Sequence, residues 1–306
     1  MTVRSRQCGA AIVLAMGIVA VAAIAATAIM LTQSTWARQI ELGADHRQAR
    51  QLVPAGVDWA RRILSEDRRS SSVDHLGELW AIRLPPTPIE NGTASGYIED
   101  QQGRFNLNNI VRAGNVSPVQ LEQLRRLLVI LDLSPALADA VADWIDTDSV
   151  AQGPGGAEDD YYLGRESPYL TANRPLIDVD QLSAIRGFDP AVMTRVRPFV
   201  TALPRATAVN LNTAPPEVLA AMVEGLDIDS ARALVGQRER AYFRTTEDFS
   251  SRVPRGLVVP VQELTVSSDY FMVTLHVSSG ETEAHGTALL AREDTAWPVI
   301  VWRKYP

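Results

Sequence analysis

Cysteine is almost missing from the sequence. The single cysteine among 306 residues, Cys8, stands in a short polar segment ahead of a long apolar run. One cysteine cannot close a disulfide within the chain, so a disulfide framework is excluded even for an oxidising compartment. Aromatic residues are also few, at 6% of the composition. Stability must therefore come from the burial of side chains, with a bound metal as a further source.

Positive charge is also in short supply. Lys and Arg together number 29 against 36 Asp and Glu, which gives a formal net charge of -7. Proteins that bind nucleic acids normally present a basic patch to the phosphates. We therefore expect no nucleic-acid partner.

Catalytic motifs are missing as well. The sequence contains neither a Gly-x-Ser-x-Gly motif nor a His-Glu-x-x-His motif. The four histidines, His46, His75, His276 and His285, are scattered and lack the spacing of paired metal ligands. We expect that the protein is not an enzyme; activity would require residues that the sequence does not bring together.

The feature that stands out is the uncharged apolar run from Ala10 to Leu31. A helix of about 20 residues spans the roughly 30 Å hydrocarbon core of a membrane, and this run is long enough to do so. Arg4 and Arg6 precede it, and positive charge favours the cytoplasmic side. The sequence predicts a single-pass membrane protein with a cytoplasmic N-terminus and with the chain beyond the apolar run on the far side of the membrane.

The first nine residues allow two interpretations. Gly9 stands directly before the apolar run, which resembles the processing site of type IV pilins and pseudopilins, where prepilin peptidase cuts after a glycine. On this interpretation residues 1–9 are a leader and Ala10 is the mature N-terminus. The alternative is an uncleaved signal anchor, because the apolar run is too long for an ordinary secretory signal.

Helical spacing of apolar residues continues beyond the membrane-spanning segment 10–31. The pattern predicts one helix over residues 10–67, with Pro54 as a candidate kink. Strand-like segments then lie at both ends of the remaining chain: Leu79–Leu84, ended by prolines, Ala94–Asp100, Tyr270–Ser278, Thr282–Arg292 and Val299–Trp302.

This distribution predicts an α+β fold. Residues 68–105 and 264–306 form a small antiparallel sheet packed against the long N-terminal helix, and residues 106–263 form an inserted all-α domain.

The inserted region contains an internal sequence repeat. FNLNN at Phe105–Asn109 returns as VNLNT at Val209–Thr213, and each copy precedes two helix-period segments. A third such unit follows Pro175. These units resemble helix-hairpin-helix modules, so a membrane-tethered protein for DNA binding or uptake is the alternative function. An Asp at or beside each hairpin turn would repel phosphate, and we favour a scaffolding role.

Carboxylates are densest just after the first pair of predicted helices. Calcium takes six to eight hard oxygen ligands and tolerates loop geometry, so the segment suits it, although the spacing is not that of an EF-hand. A solvated acidic loop is the alternative. The candidate ligands are Asp146, Asp148, Glu158, Asp159 and Asp160.

Several motifs together resemble one family, the general secretion pathway protein K family of minor pseudopilins in bacterial type II secretion. The resemblance is carried by Gly9, GRFNLN at 103–108, DWIDTD at 143–148, GAEDDYY at 156–162, ANRPLIDVDQL at 172–182 and VNLNTAPPEVLAAM at 209–222. It implies a pilin-like sheet with a large helical insert, and calcium held by acidic loops of that insert.

The resemblance also implies a function in assembly. Such a precursor is a single-pass inner-membrane protein with a cytoplasmic N-terminus before processing and a periplasmic C-terminal domain. Prepilin peptidase cleaves and N-methylates it. The mature chain then joins minor pseudopilins I and J and other pseudopilins at the tip of a periplasmic pseudopilus built on an inner-membrane platform. The fifth mature residue is Leu14, where pseudopilins usually carry Glu. We hypothesise that Leu14 suits a subunit at the end of the filament, because no subunit above it would pair with a charge there.

Overall fold

A long helix dominates the N-terminal part of the computed structural model, which describes residues 7–90, 92–112, 114–280, 282–292 and 297–305. Helix α1 runs from Gln7 to Ser70, slightly beyond the predicted 10–67, and continues through Pro54. Its 64 residues span roughly 96 Å at 1.5 Å per residue. By length and composition its segment Ala11–Ile40 could cross a membrane. Residues 1–6 of the expected leader lie outside the described part.

The second half of α1 packs on the sheet through a stripe with helical spacing. Val53, Val57, Ala60 and Leu64 are all buried, whereas the apolar side chains described in the first half are exposed. The helix approaches the sheet closely at Gly56, where a Cβ atom would lie 2.8 Å from Leu275 Cδ1. The first half therefore has no partner within the described chain, and the second half does.

The sheet has five antiparallel strands, and their spatial order follows the chain. The strands are β1 (Leu84–Ile89), β2 (Gly92–Asp100), β3 (Tyr270–Ser279), β4 (Thr282–Ala291) and β5 (Val299–Lys304). Because β2 and β3 are direct neighbours, with Asp100 opposite Phe271, the inserted region leaves and re-enters the sheet at one point.

The first strand corrects the sequence prediction. Residues Leu79–Ala81 form a 3₁₀ turn rather than a strand, and β1 begins at Leu84 and runs through Pro85, Pro86 and Pro88. Prolines are tolerated in β1 because it lies at the edge of the sheet, and its register shifts between Leu84 and Thr87.

The inserted region is mainly helical and has the largest hydrophobic core of the molecule. Its helices are α2 (Pro118–Ile130), α3 (Leu137–Ile145), α4 (Asp159–Leu163), α5 (Pro190–Val196), α6 (Pro216–Met222), α7 (Ile228–Arg238) and α8 (Thr246–Arg252).

The prediction of an all-α insert was wrong in one respect, because short strand pairs join its helices. Each strand has two residues, and the pairs are 105–106 with 200–201, 111–112 with 115–116, and 209–210 with 264–265. Short 3₁₀ helices lie at Leu107–Asn109, Val179–Ala184, Arg197–Phe199 and Val261–Glu263.

The two echoed motifs hold the chain in the same way. The Asn108 side chain donates to the Leu176 carbonyl and accepts from the Leu176 N–H, both at 2.8 Å. The Asn212 side chain does the same with Phe243, at 2.9 Å and 2.8 Å. We call these two contacts the asparagine brackets. They show that the sequence repeat has a structural counterpart. The similarity of these units to helix-hairpin-helix modules stays a prediction.

A polar network joins the insert to the sheet at the end of β2. Asp100 Oδ2 accepts from Ser268 Oγ at 2.6 Å, Thr213 Oγ1 at 2.5 Å and Asn210 Nδ2 at 3.0 Å. Burial raises the pKa of Asp100 to about 6, although these hydrogen bonds oppose the shift. The junction therefore contains a buried carboxyl group that titrates above its usual range.

Candidate functional site

Three of the five predicted ligands come together where α3 ends. Asp146 directly follows the helix in an extended conformation, with φ -68° and ψ 178°, and Asp148 lies two residues further on. Glu158 comes back to them immediately before α4. One carboxylate oxygen from each of Asp146, Asp148 and Glu158 lies within 4.8 Å of the others. We call these three residues the acidic cluster.

Two members of the acidic cluster are buried without hydrogen-bond partners. Asp146 is 1% exposed and Glu158 is 9% exposed. None of their four carboxylate oxygens has a hydrogen-bond partner in the part of the chain that the structure describes. Buried polar atoms are normally paired, and an unpaired buried carboxylate is costly. Hard oxygen atoms left unpaired in this way fit a calcium ion.

The electrostatics of the acidic cluster agree with this fit. Burial, together with repulsion from Asp148 and Asp143, raises the pKa of Asp146 to about 6. Burial and the neighbouring carboxylates raise the pKa of Glu158 to about 7. The charged forms of Asp146 and Glu158 are thus disfavoured, and a bound cation would offset both causes.

Two residues that the sequence analysis missed shape the loop around the acidic cluster. Asp143 accepts from the N–H groups of Ala157 at 2.7 Å and Gln152 at 3.0 Å. Asp139 accepts from the Gly155 N–H at 3.3 Å. Asp139, Asp143 and Asp146 are spaced by four and three residues, which places them on one face of α3 and its continuation. That spacing is the signal that could have identified the first two.

The remaining two predicted ligands do not join the cluster, so the prediction for them was wrong. Asp159 Oδ1 accepts instead from the N–H and hydroxyl of Thr171, at 2.9 Å and 2.6 Å. Asp160 is exposed on α4. Both residues follow Glu158 into a helix, and each helical step turns a side chain by about 100° away from its predecessor.

A second group of three acidic residues has its carboxylates paired by other side chains of the chain. Asp67, Asp74 and Glu78 also bring carboxylate oxygens within 4.8 Å of one another. Arg292, which is 1% exposed, forms ion pairs with both Asp67 and Asp74. Glu78 accepts from Trp80 Nε1 at 2.8 Å. Because Arg292 already supplies a cation to this group, we interpret the group as a structural contact between α1 and the junction.

The predicted assembly residues lie in the unpartnered half of α1. Leu14 is 69% exposed on the helix. Gly9 and Ala10 belong to the same helix, and their side chains lie outside the described set. The cleavage after Gly9 and the role of Leu14 therefore stay predictions.

Fold and site together define a helix-anchored α+β subunit whose sheet carries a helical insert with an acidic cluster. Family models described as type II secretion system (T2SS), protein K match residues 103–205 and 209–266. The protein K of Pseudomonas aeruginosa is 36% identical over 91% of this chain and 86% of its own length. The chain belongs to the type II secretion system protein K family.

Further comparisons agree. The protein K of Aeromonas hydrophila is 30% identical, covering 76% of each chain. A chain in the crystal structure of the GspK-GspI-GspJ complex from enterotoxigenic Escherichia coli has a TM-score of 0.77 and 25% identity. The match covers 88% of our chain and 99% of that chain.

Family membership settles the main functional question. The protein is a minor pseudopilin of the type II secretion system. The relatives named above are secretion-system components, and they do not support the alternative of DNA binding. The apolar helix is consistent with a single-pass inner-membrane protein.

Proposed function

We propose that this minor pseudopilin caps the tip of the periplasmic pseudopilus together with minor pseudopilins I and J, and so supports protein export across the outer membrane. The observation that carries the proposal is the match to a chain crystallised with GspI and GspJ, which extends over 88% of our chain. The inserted region, which emerges from the centre of the sheet, is the bulk that would close the filament end.

The proposed route to that position begins in the inner membrane. The N-terminus faces the cytoplasm, prepilin peptidase cleaves after Gly9, and the assembly platform transfers the subunit into the filament. Intact-mass and N-terminal analysis of protein from membranes tests this route: we expect a chain that starts at N-methylated Ala10. A chain that still starts at Met1 would identify an uncleaved signal anchor instead.

Leu14 supports the terminal position in physical terms. A carboxylate in the membrane needs a cationic partner, and a subunit at the end of the filament has no neighbour above it to supply one. Leu14 needs no such partner. Leu14→Glu should let the chain enter positions other than the tip, seen as new crosslinks between it and the major pseudopilin. Leu14→Ala, the uncharged control, should keep the original crosslinks. An unchanged crosslinking pattern in Leu14→Glu would show that this residue does not set the position.

The acidic cluster has a proposed role of its own. Asp146, Asp148 and Glu158 would hold one calcium ion, because carboxylates are its preferred ligands and four of their oxygens are unpaired among the described residues. The ion would neutralise the carboxylates and tie the loop after α3 to the start of α4. The ligands of the ion therefore link two segments of the insert that no helix joins.

A further inference from the structure

Two histidines that the sequence separates by nine positions lie side by side in the sheet. His276 on β3 and His285 on β4 are direct cross-strand partners. Their neighbours Leu275 and Gly286 face α1, where they approach Gly56 and Val53. Side chains alternate between the two faces of a strand, so both histidines lie on the face opposite α1. Both histidines are exposed. Neither belongs to the first half of α1 or to the acidic cluster.

The two imidazole rings point nitrogen atoms at each other. Nδ1 of His276 and Nδ1 of His285 are 2.6 Å apart, and the rings meet edge to face with centroids separated by 4.7 Å. A neutral imidazole has one nitrogen with a proton and one with a free lone pair. At this separation at least one of the two Nδ1 atoms must present its lone pair, because two N–H groups cannot face each other so closely.

A carboxylate is placed to select the tautomer. Glu283 Oε2 lies 3.7 Å from Nε2 of His285, on the other side of that ring from His276. A carboxylate near Nε2 favours the proton at that nitrogen, which leaves the Nδ1 lone pair free. In metal-binding histidines the outer nitrogen commonly donates to a carboxylate. At 3.7 Å, Glu283 is close to that position but does not form the hydrogen bond in this structure.

We propose that His276 and His285 form a chelating site for a divalent transition-metal ion of the Zn²⁺, Ni²⁺ and Cu²⁺ class. Imidazole nitrogen is a preferred ligand for these ions, whereas calcium prefers the oxygens of the acidic cluster. Zinc binds imidazole nitrogen at about 2.0–2.1 Å, so the two Nδ1 atoms must separate slightly to admit it. Exposed rings can do so by small side-chain rotations. Water would complete the coordination shell.

The test is a titration of the purified full-length chain in detergent with Zn²⁺ alone as the probe. Millimolar Ca²⁺ is present throughout, so that hard-oxygen sites do not contribute to the heat. We expect one Zn²⁺ ion to bind. His276→Gln and His285→Gln should each weaken its affinity at least tenfold, because each leaves a single imidazole, and the double variant should bind no better than either.

Two further variants make the test specific. His75→Gln removes a histidine that stacks on Tyr242 far along the chain, and it should leave the Zn²⁺ affinity unchanged. Glu283→Gln should weaken binding less than loss of either ring, because it acts through the orientation of His285. Circular dichroism would confirm that each variant folds, which is expected since His276, Glu283 and His285 are exposed and His75 is only half-buried.

Retention of the untagged chain on immobilised Ni²⁺ gives a second measurement. The wild-type chain should be retained and then eluted by imidazole, and both single variants should elute earlier. The proposal is overturned if Zn²⁺ gives no binding heat in Ca²⁺ buffer. Equal Zn²⁺ affinities in the wild type and in both histidine variants would overturn it as well.

Discussion

Each asparagine bracket closes one unit of the insert, residues 105–176 in the first unit and residues 209–243 in the second. The two units share this bracketed frame of an Asn-containing motif and two helices, and they differ in the connection that follows the second helix. In the first, Asn108 brackets Leu176, and in the second, Asn212 brackets Phe243. Residues 146–175 separate the second helix from the bracket in the first unit, whereas only residues 239–242 do so in the second. The acidic cluster lies entirely in the longer connection. The proposed metal site is therefore an addition to a frame that the second unit forms without one.

The units also differ in where their positive charge comes from. In the second unit Arg238 ends α7, is 9% exposed, and donates to the carbonyls of Leu211 at 2.6 Å and Ala214 at 2.5 Å. Burial lowers the pKa of Arg238 to about 10. In the first unit the acidic cluster has no such cation among the described residues. The second unit carries a buried cation in its own chain, and we propose that the acidic cluster of the first unit takes a cation from solution.

Removing the cation of the second unit should have the largest effect. Arg238→Met keeps the length of the side chain but leaves two buried carbonyls without their donor. Loss of one partner from a buried charged contact typically costs about 3–5 kcal/mol, and we expect about 4 kcal/mol of lost unfolding free energy. Urea unfolding measures it. Arg232→Met, on the exposed face of the same helix, is the control and should change stability by less than about 1 kcal/mol.

Removing the proposed calcium ion of the first unit should have the second-largest effect on stability. Calcium at a hundredfold excess over its dissociation constant stabilises the folded state by about 2.7 kcal/mol, so chelation should lower the melting temperature. The triple variant Asp146→Asn, Asp148→Asn, Glu158→Gln should melt at the same temperature with and without chelator. Asp160→Asn, which removes an adjacent acid outside the cluster, should respond as the wild type does. Identical wild-type curves in both buffers would remove the calcium proposal.

The asparagine brackets allow the two units to be compared directly. Asn212→Ala leaves the buried N–H and carbonyl of Phe243 unpaired, which should cost about 2 kcal/mol. Asn108→Ala leaves the N–H and carbonyl of Leu176 unpaired and also the carbonyl of Leu203, so its cost should be somewhat larger. Only Asn108→Ala should also reduce the stabilisation by calcium, because Leu176 anchors the end of the acidic connection. Thermal melts with and without calcium measure both effects. An equal loss of the calcium response in Asn212→Ala would show that the units are not independent.

The smallest expected effect concerns the junction, where Asn210 of the second unit donates to Asp100 at the end of β2. The folded chain binds the Asp100 proton more tightly than the unfolded chain, since burial raises its pKa from 3.8 to about 6. Unfolding free energy should therefore fall as pH rises, by about 1 kcal/mol between pH 5 and pH 6. Asp100→Asn should lack this component, and Asp132→Asn, whose side chain is 92% exposed, should keep it. Parallel slopes for wild type and Asp100→Asn would contradict the assignment.

Local sequence patterns predicted the long helix, four of the five strands and the helical character of the insert. Each of these features depends on periodicity within one segment. Strand β1 was missed because its prolines are tolerated only at a sheet edge, and the edge position is a property of the whole sheet.

The candidate sites also divide into residues that local sequence patterns indicate and residues that only the folded chain brings together. Asp146 and Asp148 were found because they are close in sequence, and Glu158 because a flexible glycine-rich stretch returns it to them. Asp159 was misassigned because helix α4 turns it toward Thr171. The pair of His276 and His285 was missed because the sequence analysis gave no strand register. The register follows from the tight turn that places Ser279 opposite Thr282, and it puts His276 opposite His285.

The point where the insert joins the sheet has a mechanical consequence. The insert hangs from β2 and β3, the inner strands of the sheet, rather than from an edge strand. At the same end, Arg292 ties the junction to Asp67 near the end of α1. A push on the insert is therefore shared by the middle of the sheet and passed along the axis of the long helix. The contacts of the junction therefore connect the insert mechanically to the long helix α1.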